Sequence, residues 1–557
     1  MMLRTRFLWI IFGLLCWLAT PCVAWDDVKQ IPLSTLDLSH MSQGWGRPVP
    51  KGNVVKQALR IAGKDYQEGV GTHAVSVLHL ALDGQVLRFT AEVGIDESAG
   101  RRGSVRFQIY ADRRLVFDSD VMHGSDPAKP VDVNLEGVKE LLLFVDGTED
   151  GIDFDHADWA NAVFYYRGQP PHTVAAPEEP REILTPKPGP APQLNHAGRY
   201  GCRPGRPFIY RIPCTGERPI KFSAMNLPST LHLDPATGII TGHAPRQRGE
   251  YEVQLIAENQ HGKDVGKWTI VVGDTLALTP PMGWNSWYIH YHRVSDADMR
   301  AAADAMIDSG MADFGYCYVN IDDCWMVKPG SDDPKLGGPP RDEAGAVRPN
   351  GKFPNMKALT DYIHSKGLKA GIYISPGPLT CAGYVGSYQH EEIDAKKFAE
   401  WGFDFLKYDW CSYGRVVQAK TREDFMKPYR LMGDILKRLD RDIVYNLCQY
   451  GMDSVWEWGA EVGGNCWRTT GDLGLAGGSL NRGIYQVGLK NAKLWEYARP
   501  GHWNDPDYLL IGWVGDARVT GEGRPTPLTP NEQYSHMSMW CLMAAPLIFS
   551  GDMTRLD

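Results

Sequence analysis

Residues 403–411 read Phe-Asp-Phe-Leu-Lys-Tyr-Asp-Trp-Cys, an apolar and aromatic stretch between Gly402 and Ser412-Tyr413-Gly414. Its composition and its flanking glycines predict a buried β-strand. Lys407 and Asp409 are two residues apart, so both side chains point to the same face of that strand. Burying two charges is unfavourable unless they are paired or take part in chemistry. The stretch therefore predicts either a structural ion pair or part of a reactive site.

Similar strands recur through the second half of the chain. From Pro280 onward, apolar strand-like runs alternate with helix-like segments, a pattern typical of a parallel sheet. An amphipathic segment, Ser295–Met311, begins with a capping serine and carries Met299, Ala303 and Met306 on one face. The eight predicted strands are Met282–Trp287, Cys317–Asp323, Leu368–Ile374, Phe403–Asp409, Ile443–Cys448, Cys466–Asp472, His502–Asp507 and Leu547–Asp552.

Eight strand–helix repeats predict a (β/α)8 TIM barrel over residues 275–557. A doubly wound open sheet is the alternative, but the sequence lacks the Gly-rich phosphate loop that such sheets usually carry. Chemically active side chains lie in or just beyond the strands, mostly toward the ends where barrel enzymes build their sites. These candidate site residues are Trp284, Asp322, Asp323, Tyr373, Lys407, Asp409, Gln449, Arg468, Asp472 and Asp507.

Residues 25–167 predict a β-sandwich, because short strand-like runs are separated by Gly and Asp turns. The runs are Val86–Val93, Ser104–Tyr110 and Glu140–Val145. Three segments, Gly69–Ala74, Val93–Glu97 and Asp155–Asn161, resemble the NPCBM-type carbohydrate-binding module that accompanies many bacterial glycosidases. The resemblance implies polysaccharide binding, and a spacer role is the alternative.

An acidic run in this module offers oxygen ligands of the kind that calcium prefers. A solvated turn is the alternative, since the spacing matches no known calcium loop. The run consists of Asp146, Asp150, Asp153, Asp155 and Asp158.

Residues 168–194 form a linker, and residues 195–274 form a second small β-sandwich domain. Eight prolines between residues 168 and 193 predict a semi-rigid, extended segment. Leu227–Gly242 and Tyr251–Ala257 resemble bacterial immunoglobulin-like domains, for which a spacer role is expected. Cys202 and Cys214 are close in sequence, and we expect them to form a disulfide.

The N-terminus predicts a signal peptide over residues 1–24. Arg4 and Arg6 precede the apolar run Phe7–Leu18, and Cys22-Val23-Ala24 offers a small-residue cleavage site. An uncleaved anchor is the alternative, although the run is short for a membrane span. We expect an exported protein without a membrane span after cleavage, whose cysteines can be oxidised.

Composition is that of an ordinary soluble, multidomain protein. The 557 residues suggest three or four domains, and 43% are hydrophobic and 22% charged. The net charge of −9 is spread along the chain, and no basic stripe suits a nucleic acid. Eighteen tryptophans fit both a sugar-binding protein and a large core.

Five motifs of the barrel resemble, in order, those of glycoside hydrolase family 27, the melibiase-type α-galactosidases and α-N-acetylgalactosaminidases. They are Met282-Gly-Trp-Asn-Ser-Trp287, Ile321-Asp-Asp-Cys-Trp325, Lys407-Tyr-Asp-Trp-Cys411, Arg468-Thr-Thr-Gly-Asp472 and Trp503-Asn-Asp-Pro-Asp507. The resemblance implies a retaining glycosidase with a carbohydrate substrate, and neither a metal nor an organic cofactor.

By motif match, Asp409 is the nucleophile and Asp472 the acid/base, two carboxylates placed about 5 Å apart in retaining enzymes. Lys407 would help to keep Asp409 ionised. Asp322, Asp323 and Asp507 would accept hydrogen bonds from sugar hydroxyls, and Lys407 and Arg468 would donate to them. Trp284 would form an apolar wall for the sugar. Tyr373 and Gln449 complete the implied binding residues.

The resemblance also implies two disulfides, Cys381–Cys411 and Cys448–Cys466. Cys324 lacks the partner that family members place after the first strand, so it is free or pairs with Cys317. Cys541 lies in an apolar helix, where we expect an inert core residue.

Two departures from the family bear on function. Gln449-Tyr450-Gly451-Met452 replaces the Glu and Trp that follow this strand in better-known members, in a loop that contacts the C2 substituent of the sugar. The family also continues with a last barrel helix and a C-terminal β domain beyond the position of Asp557, so a truncated gene product is expected.

Bulky C2-facing residues favour galactose over N-acetylgalactosamine, with L-arabinopyranose as a further alternative. A non-catalytic sugar-binding protein is the competing class, which the two intact carboxylates oppose.

Overall fold

A computed structural model of the chain describes residues 27–148, 152–473, 483–515 and 523–556. The chain divides into two compact units, residues 1–176 and residues 177–557. The predicted signal peptide and Asp150 lie outside the described residues. Among the helices that are described, none is long and apolar enough to cross a membrane.

The first unit contains two antiparallel sheets, which confirms the predicted β-sandwich. Its strands alternate buried and exposed side chains, and fully buried residues such as Leu78, Phe107 and Trp159 form the core between the sheets. One sheet contains Lys29–Pro32, Val49–Pro50, Gly69–His73, Val86–Ile95, Lys129–Asn134 and His156–Tyr166. The other contains Ser76–Ala81, Ser104–Ala111, Arg114–His123, Glu140–Gly147 and His172–Val174. A hairpin of Leu59–Ile61 and Lys64–Tyr66 accompanies them.

The second unit begins with a small immunoglobulin-like domain. Its main sheet contains Arg199–Cys202, Lys221–Met225, Gly249–Asn259 and Gly262–Val272. The remaining strands are Gln193–Leu194, Pro207–Arg211, Cys214–Thr215, Leu231–Leu233 and Ile239–His243. The predicted Cys202–Cys214 disulfide is wrong: both cysteines are buried free thiols. Their strands pair with different partners, so proximity in sequence does not bring the two sulfurs together.

Eight parallel strands follow and confirm the predicted barrel. They are β1 Met282–Asn285, β2 Tyr318–Asn320, β3 Lys369–Ile374, β4 Phe405–Asp409, β5 Val444–Cys448, β6 Cys466–Arg468, β7 Trp503–Asp505 and β8 Leu547–Phe549. The strands are ordered β7-β6-β5-β4-β3-β2-β1-β8. Leu509, shortly after β7, forms a parallel bridge with Phe549 in β8, which closes the ring. Every residue of β4 is buried, as the apolar stretch 403–411 predicts.

Helices connect consecutive strands of the barrel. They are α1 Asp296–Asp308, α2 Met356–Ser365, α3 Glu391–Trp401, α4 Arg422–Arg438, α5 Val455–Trp458, α6 Ile484–Ala492 and α7 Pro530–Leu542. Two further one-turn helices, Trp287–His290 and Tyr413–Val416, follow β1 and β4. Ser295 caps α1 as predicted, since its side chain accepts a hydrogen bond from the backbone of Asp298. Cys541, predicted to be a core residue, is exposed on α7.

Candidate active site

A narrow pocket lies at the C-terminal ends of the barrel strands. Seven of the ten candidate site residues meet there, from five different strands or the loops just beyond them. The pocket is lined by Trp287, Tyr288, Asp322, Tyr373, Cys381, Lys407, Asp409, Tyr450, Arg468, Asp472, Asp507 and Tyr508. Parallel strands end together at this face of a barrel, which is why residues far apart in sequence converge.

A larger cavity of about 160 Å³ lies at the opposite ends of the strands, against the immunoglobulin-like domain. Tyr200, Tyr210 and Lys369 line it, and none of the candidate site residues does. The chemically active groups of the barrel therefore gather at the narrower pocket.

Lys407 and Asp409 share one face of β4, and both are buried. The Nζ atom of Lys407 lies 2.8 Å from Oδ2 of Asp322, just beyond β2. Burial alone would lower the pKa of Lys407, but Asp322 and the neighbouring groups raise it well above its ordinary value. The rings of Tyr373 and Tyr508 lie within 5.3 Å of the same ammonium group and add cation–π contacts. Lys407 is thus a firmly charged centre of the pocket.

Asp409 accepts hydrogen bonds from two tyrosines. The Tyr450 hydroxyl donates to Oδ1 at 2.5 Å, and the Tyr373 hydroxyl donates to Oδ2 at 3.2 Å. Burial raises the pKa of Asp409, whereas the Lys407 charge and the Tyr450 hydroxyl lower it. The carboxylate is therefore buried but held by groups that favour its ionised form.

Asp322, just beyond β2, accepts hydrogen bonds from three other parts of the barrel: β1, β4 and the segment after β7. Its Oδ2 atom accepts from Lys407, from Nδ2 of Asn285 at 2.9 Å and from the Tyr508 hydroxyl at 3.1 Å. These donors account for the stable burial of a carboxylate that is only 1% exposed.

Arg468, at the end of β6, holds two carboxylates. Its Nη2 atom lies 3.1 Å from Oδ1 of Asp472 and 2.9 Å from Oδ2 of Asp507. Burial raises the pKa of Asp507 to about 6, against the opposing effect of Arg468. The Asp472 side chain is 48% exposed, so it faces solvent while Asp409 does not. Two carboxylates with contrasting environments thus open onto one pocket.

Three candidate residues do not line the pocket. Trp284 is fully buried, and its Nε1 atom donates to the carbonyl of Gly551 at 2.8 Å, so it cannot form the predicted wall. Asp323 accepts hydrogen bonds from the backbone N–H groups of Cys324 and Ala382. Its carboxylate therefore stabilises the loop beside Cys381 and does not line the sugar pocket. Burial raises its pKa to about 7. Gln449 is buried and donates to the carbonyl of Met452, which shapes the loop after β5.

Five pocket residues were not among the ten candidates: Trp287, Tyr288, Cys381, Tyr450 and Tyr508. The sequence predicts Cys381 only as half of a disulfide and Tyr450 only as part of the loop after β5. Trp287 ends the first family-like motif, and Tyr508 directly follows the last one, so both had a signal in the sequence. β1 ends at Asn285, which places Trp287 in the helical turn that faces the pocket while Trp284 points into the core. Tyr288 reaches the site through its hydroxyl, which donates to the Leu473 carbonyl at 2.6 Å.

The disulfide Cys381–Cys411 is confirmed. Its sulfurs lie beside the tyrosines that bind Asp409: Sγ of Cys411 is 3.1 Å from the Tyr373 hydroxyl, and Sγ of Cys381 is 3.7 Å from the Tyr450 hydroxyl. The bridge therefore supports the groups around the buried carboxylate.

The predicted Cys448–Cys466 disulfide is wrong, since both cysteines are buried free thiols. Cys466 lies opposite Asn446 in the pairing of β5 with β6, so Cys448 is two residues further along. That offset places the two Cα atoms about 8 Å apart, beyond the roughly 7 Å that a disulfide can bridge. Cys317 and Cys324 are also free.

One group of potential metal ligands occurs in the described ranges: Cys381, Cys411 and Asp409. Its two sulfurs form the disulfide, so the group offers no thiolate to a metal. In the N-terminal module, Oδ1 of Asp155 accepts from the backbone of Ser104 at 2.8 Å. Burial, and then Asp96, raise the pKa of Asp158 well above its ordinary value.

Models of known protein families match three parts of the chain. The family model for Alpha galactosidase A covers residues 279–557, the NPCBM/NEW2 domain covers residues 29–165, and an Ig-domain model covers residues 198–273. Alpha-galactosidase A of Cellvibrio japonicus is 39% identical over 293 residues, which are 51% of this chain and 64% of that relative. The chain thus spans less than two thirds of this curated relative's length.

Two solved structures from Bacteroides fragilis are similar over more of the chain. A provisionally assigned alpha-galactosidase/melibiase is 41% identical to this chain, with a TM-score of 0.59. The match covers 66% of this chain and 75% of the other. A provisionally assigned alpha-galactosidase is 39% identical to this chain, with the same TM-score. The match covers 67% of this chain and 77% of the other.

Proposed function

This chain belongs to the melibiase family, of the Alpha galactosidase A type, and on that premise we propose that it is an exported, retaining glycosidase that removes terminal α-galactosyl residues from oligo- or polysaccharides. One observation carries the proposal. Asp409 and Asp472 open onto one pocket from the ends of different strands, the first buried between two hydroxyls and the second half exposed. Two carboxylates in unequal environments suit unequal roles in glycoside hydrolysis.

In the proposed mechanism, Asp409 attacks the anomeric carbon while Asp472 protonates the departing glycosidic oxygen. The product of this step is a galactosyl ester of Asp409. Asp472 then removes a proton from water, the water oxygen attacks the anomeric carbon, and the Asp409 carboxylate leaves. Asp322, Lys407, Arg468 and Asp507 supply the hydrogen-bonding groups around the sugar.

The substrate preference follows from the loop after β5. Tyr450 lines the pocket, whereas Gln449 is turned away from it. In the family this loop faces the C2 substituent, and a bulky aromatic ring there leaves room for a hydroxyl but little for an acetamide. Galactose is therefore favoured over N-acetylgalactosamine, and β-L-arabinopyranoside is the nearest alternative substrate.

Three measurements test the mechanism. NMR should detect α-galactose as the first-formed anomer, and β-galactose would establish inversion instead. Asp409→Asn should abolish turnover with the fold intact. Asp472→Ala should still form the intermediate from aryl galactosides whose leaving groups need no proton, and azide should restore its turnover. If azide has no effect on a folded Asp472→Ala variant, Asp472 is not the acid/base.

Carbohydrate binding by the N-terminal module is a second candidate function. Trp45 is 50% exposed, and its ring stacks on His156 with an interplanar angle of 7° and lies 5.5 Å from His73. An exposed indole fixed by two rings is a flat apolar platform of the kind on which a sugar ring can lie. Trp45→Ala should abolish retardation in gels that contain a galactose-bearing polysaccharide and leave hydrolysis of small galactosides unchanged. Equal retardation of both proteins would exclude this platform.

A further inference from the structure

The loop after β5 gives Tyr450 an unusual backbone conformation. Tyr450 has φ of +65° and is followed by Gly451 with φ of +83°. A left-handed backbone at a bulky residue costs about 1–2 kcal/mol and persists where the surroundings hold it. A Cβ atom at Gly451 would lie 2.3 Å from the carbonyl of Thr469, so the loop is packed tightly against the end of β6. The loop thus holds Tyr450 in one position.

The Tyr450 side chain contacts charged groups at the face of its ring and at its hydroxyl. The guanidinium of Arg468 lies 6.0 Å from the ring centroid, and the hydroxyl lies 2.5 Å from Oδ1 of Asp409. Burial and the Asp409 carboxylate raise the pKa of Tyr450, so the hydroxyl keeps its proton and acts as a donor. Tyr450 is therefore the donor in a short hydrogen bond to Oδ1 of Asp409.

The other oxygen of Asp409 is bound less firmly. The Tyr373 hydroxyl is 3.2 Å from Oδ2 and 3.1 Å from Sγ of Cys411. A hydroxyl has one proton, so Tyr373 can turn its donor toward the sulfur and leave Oδ2 free. The two oxygens of the nucleophile are consequently not equivalent.

On the basis of the proposed retaining mechanism, we propose that Tyr450 is a positioning residue that holds Oδ1 of Asp409, commits Oδ2 to the attack on the anomeric carbon, and speeds the second step of the reaction. In the first step the Oδ2–C1 bond forms, the bond from C1 to the departing oxygen breaks, and the Asp472 proton passes to that oxygen. In the second step a water oxygen bonds to C1, its proton passes to Asp472, and the C1–Oδ2 electron pair returns to Asp409.

The hydrogen bond from Tyr450 changes strength during this cycle. Oδ1 belongs to a charged carboxylate in the free enzyme and to a neutral ester in the intermediate, and donors bind charged acceptors more strongly. Tyr450 thus stabilises the carboxylate that leaves in the second step. Tyr450→Phe should slow that step about tenfold, the order expected for one hydrogen bond to a charged group.

Kinetics with p-nitrophenyl α-galactoside separate the two steps. For Tyr450→Phe we expect kcat and KM to fall together by about tenfold, kcat/KM to change little, and a burst of p-nitrophenol to appear as the ester accumulates. Tyr508→Phe is the matched control, because its hydroxyl in the same pocket binds Asp322. A burst in Tyr508→Phe as well, or a folded Tyr450→Phe variant with wild-type kcat, would overturn the proposal.

A second readout does not require turnover. A small epoxide esterifies ionised carboxylates, so the pH dependence of labelling at Asp409, followed by peptide mass, reports its ionisation. The titratable and charged groups that face Asp409 are Lys407, Tyr373, Tyr429, Tyr450, Asp322, Asp472, Cys448 and Arg468. Of the two Tyr→Phe variants, Tyr450→Phe alone should move the labelling curve to higher pH. If the labelling curve of Tyr450→Phe matches that of the wild type, the proposal is overturned. If the curve moves but the wild type hydrolyses no galactoside, only the glycosidase function is refuted.

Discussion

Lys407 forms its ion pair with Asp322, across the pocket, although it shares a strand face with Asp409. The lysine therefore joins the ends of β2 and β4 and supplies the positive charge that both buried carboxylates face. The structural ion pair and the reactive site, which the sequence left as alternatives, are one and the same feature.

Lys407→Met should lower the free energy of unfolding by about 3–5 kcal/mol, because it leaves Asp322 buried without its cation. The double variant Lys407→Met with Asp322→Asn should recover much of that stability, since neither charge is then buried alone. Neither protein should hydrolyse galactosides. Urea unfolding of both variants measures the difference, and equal stability of Lys407→Met and wild type would show that the pair is not energetically coupled.

The two tryptophans of the first motif should respond differently to substitution. Trp284→Ala should cost about 3–5 kcal/mol of stability, because Trp284 is fully buried and donates to Gly551. Trp287→Ala should raise KM more than any other parameter, because Trp287 lines the pocket. Denaturation and Michaelis constants compare the pair. If Trp284→Ala raises KM more than Trp287→Ala does, Trp284 is the residue that contacts the sugar, as the sequence predicts.

Peptide mapping after alkylation of the unreduced protein should find Cys381 linked to Cys411, with Cys448 and Cys466 as free thiols. Reduction should lower activity, since the bridge lies against the Tyr373 and Tyr450 hydroxyls that bind Asp409. The double variant Cys381→Ser with Cys411→Ser should show the same loss without reductant. A Cys448–Cys466 linkage in the map would contradict the observed strand register.

As pH falls below about 6, activity should decrease while the contribution of Asp507 to folding stability increases. Asp507 has a folded-state pKa of about 6, raised by burial, so the folded chain binds this proton more tightly than the unfolded chain does. The contribution of this group to stability therefore grows as pH falls below about 6 and is lost as pH rises through that value. The same protonation weakens the Arg468 contact and a sugar acceptor, so KM should rise.

Melting temperature and kcat/KM, measured together between about pH 4 and pH 8, separate these effects. Asp507→Asn is the control and should remove the dependence near pH 6 from KM. A loss of activity that follows unfolding, or a KM that is constant over this range, would contradict the assignment.

The sequence predicted the barrel and most of its site because apolar strand-like runs, and the period-two spacing of side chains along them, are local features. All eight strands lie where apolar runs occur, and Lys407 and Asp409 share a face as their spacing requires. The errors concern non-local geometry. Cys448 and Cys466 fail to bridge because of a register offset between strands, which no local pattern encodes.

The exact ends of strands and the conformations of loops could not be predicted from the sequence either. Two tryptophans three residues apart fit one motif equally well, and only the end of β1 at Asn285 decides that Trp287 faces the pocket. Gln449 and Tyr450 are neighbours in one loop, and the positive φ of Tyr450 decides which side chain enters the site. Such choices depend on tertiary packing.

Comparison of kcat/KM for p-nitrophenyl α-galactoside, α-N-acetylgalactosaminide and β-L-arabinopyranoside, with wild type and Asp409→Asn, tests most directly whether this pocket hydrolyses α-galactosides through Asp409. We predict that the wild type turns over the α-galactoside with the highest kcat/KM, and that a folded Asp409→Asn variant turns over none of the three. A higher kcat/KM for the N-acetylgalactosaminide or the arabinopyranoside would contradict the substrate preference, and wild-type rates in Asp409→Asn would contradict the nucleophile.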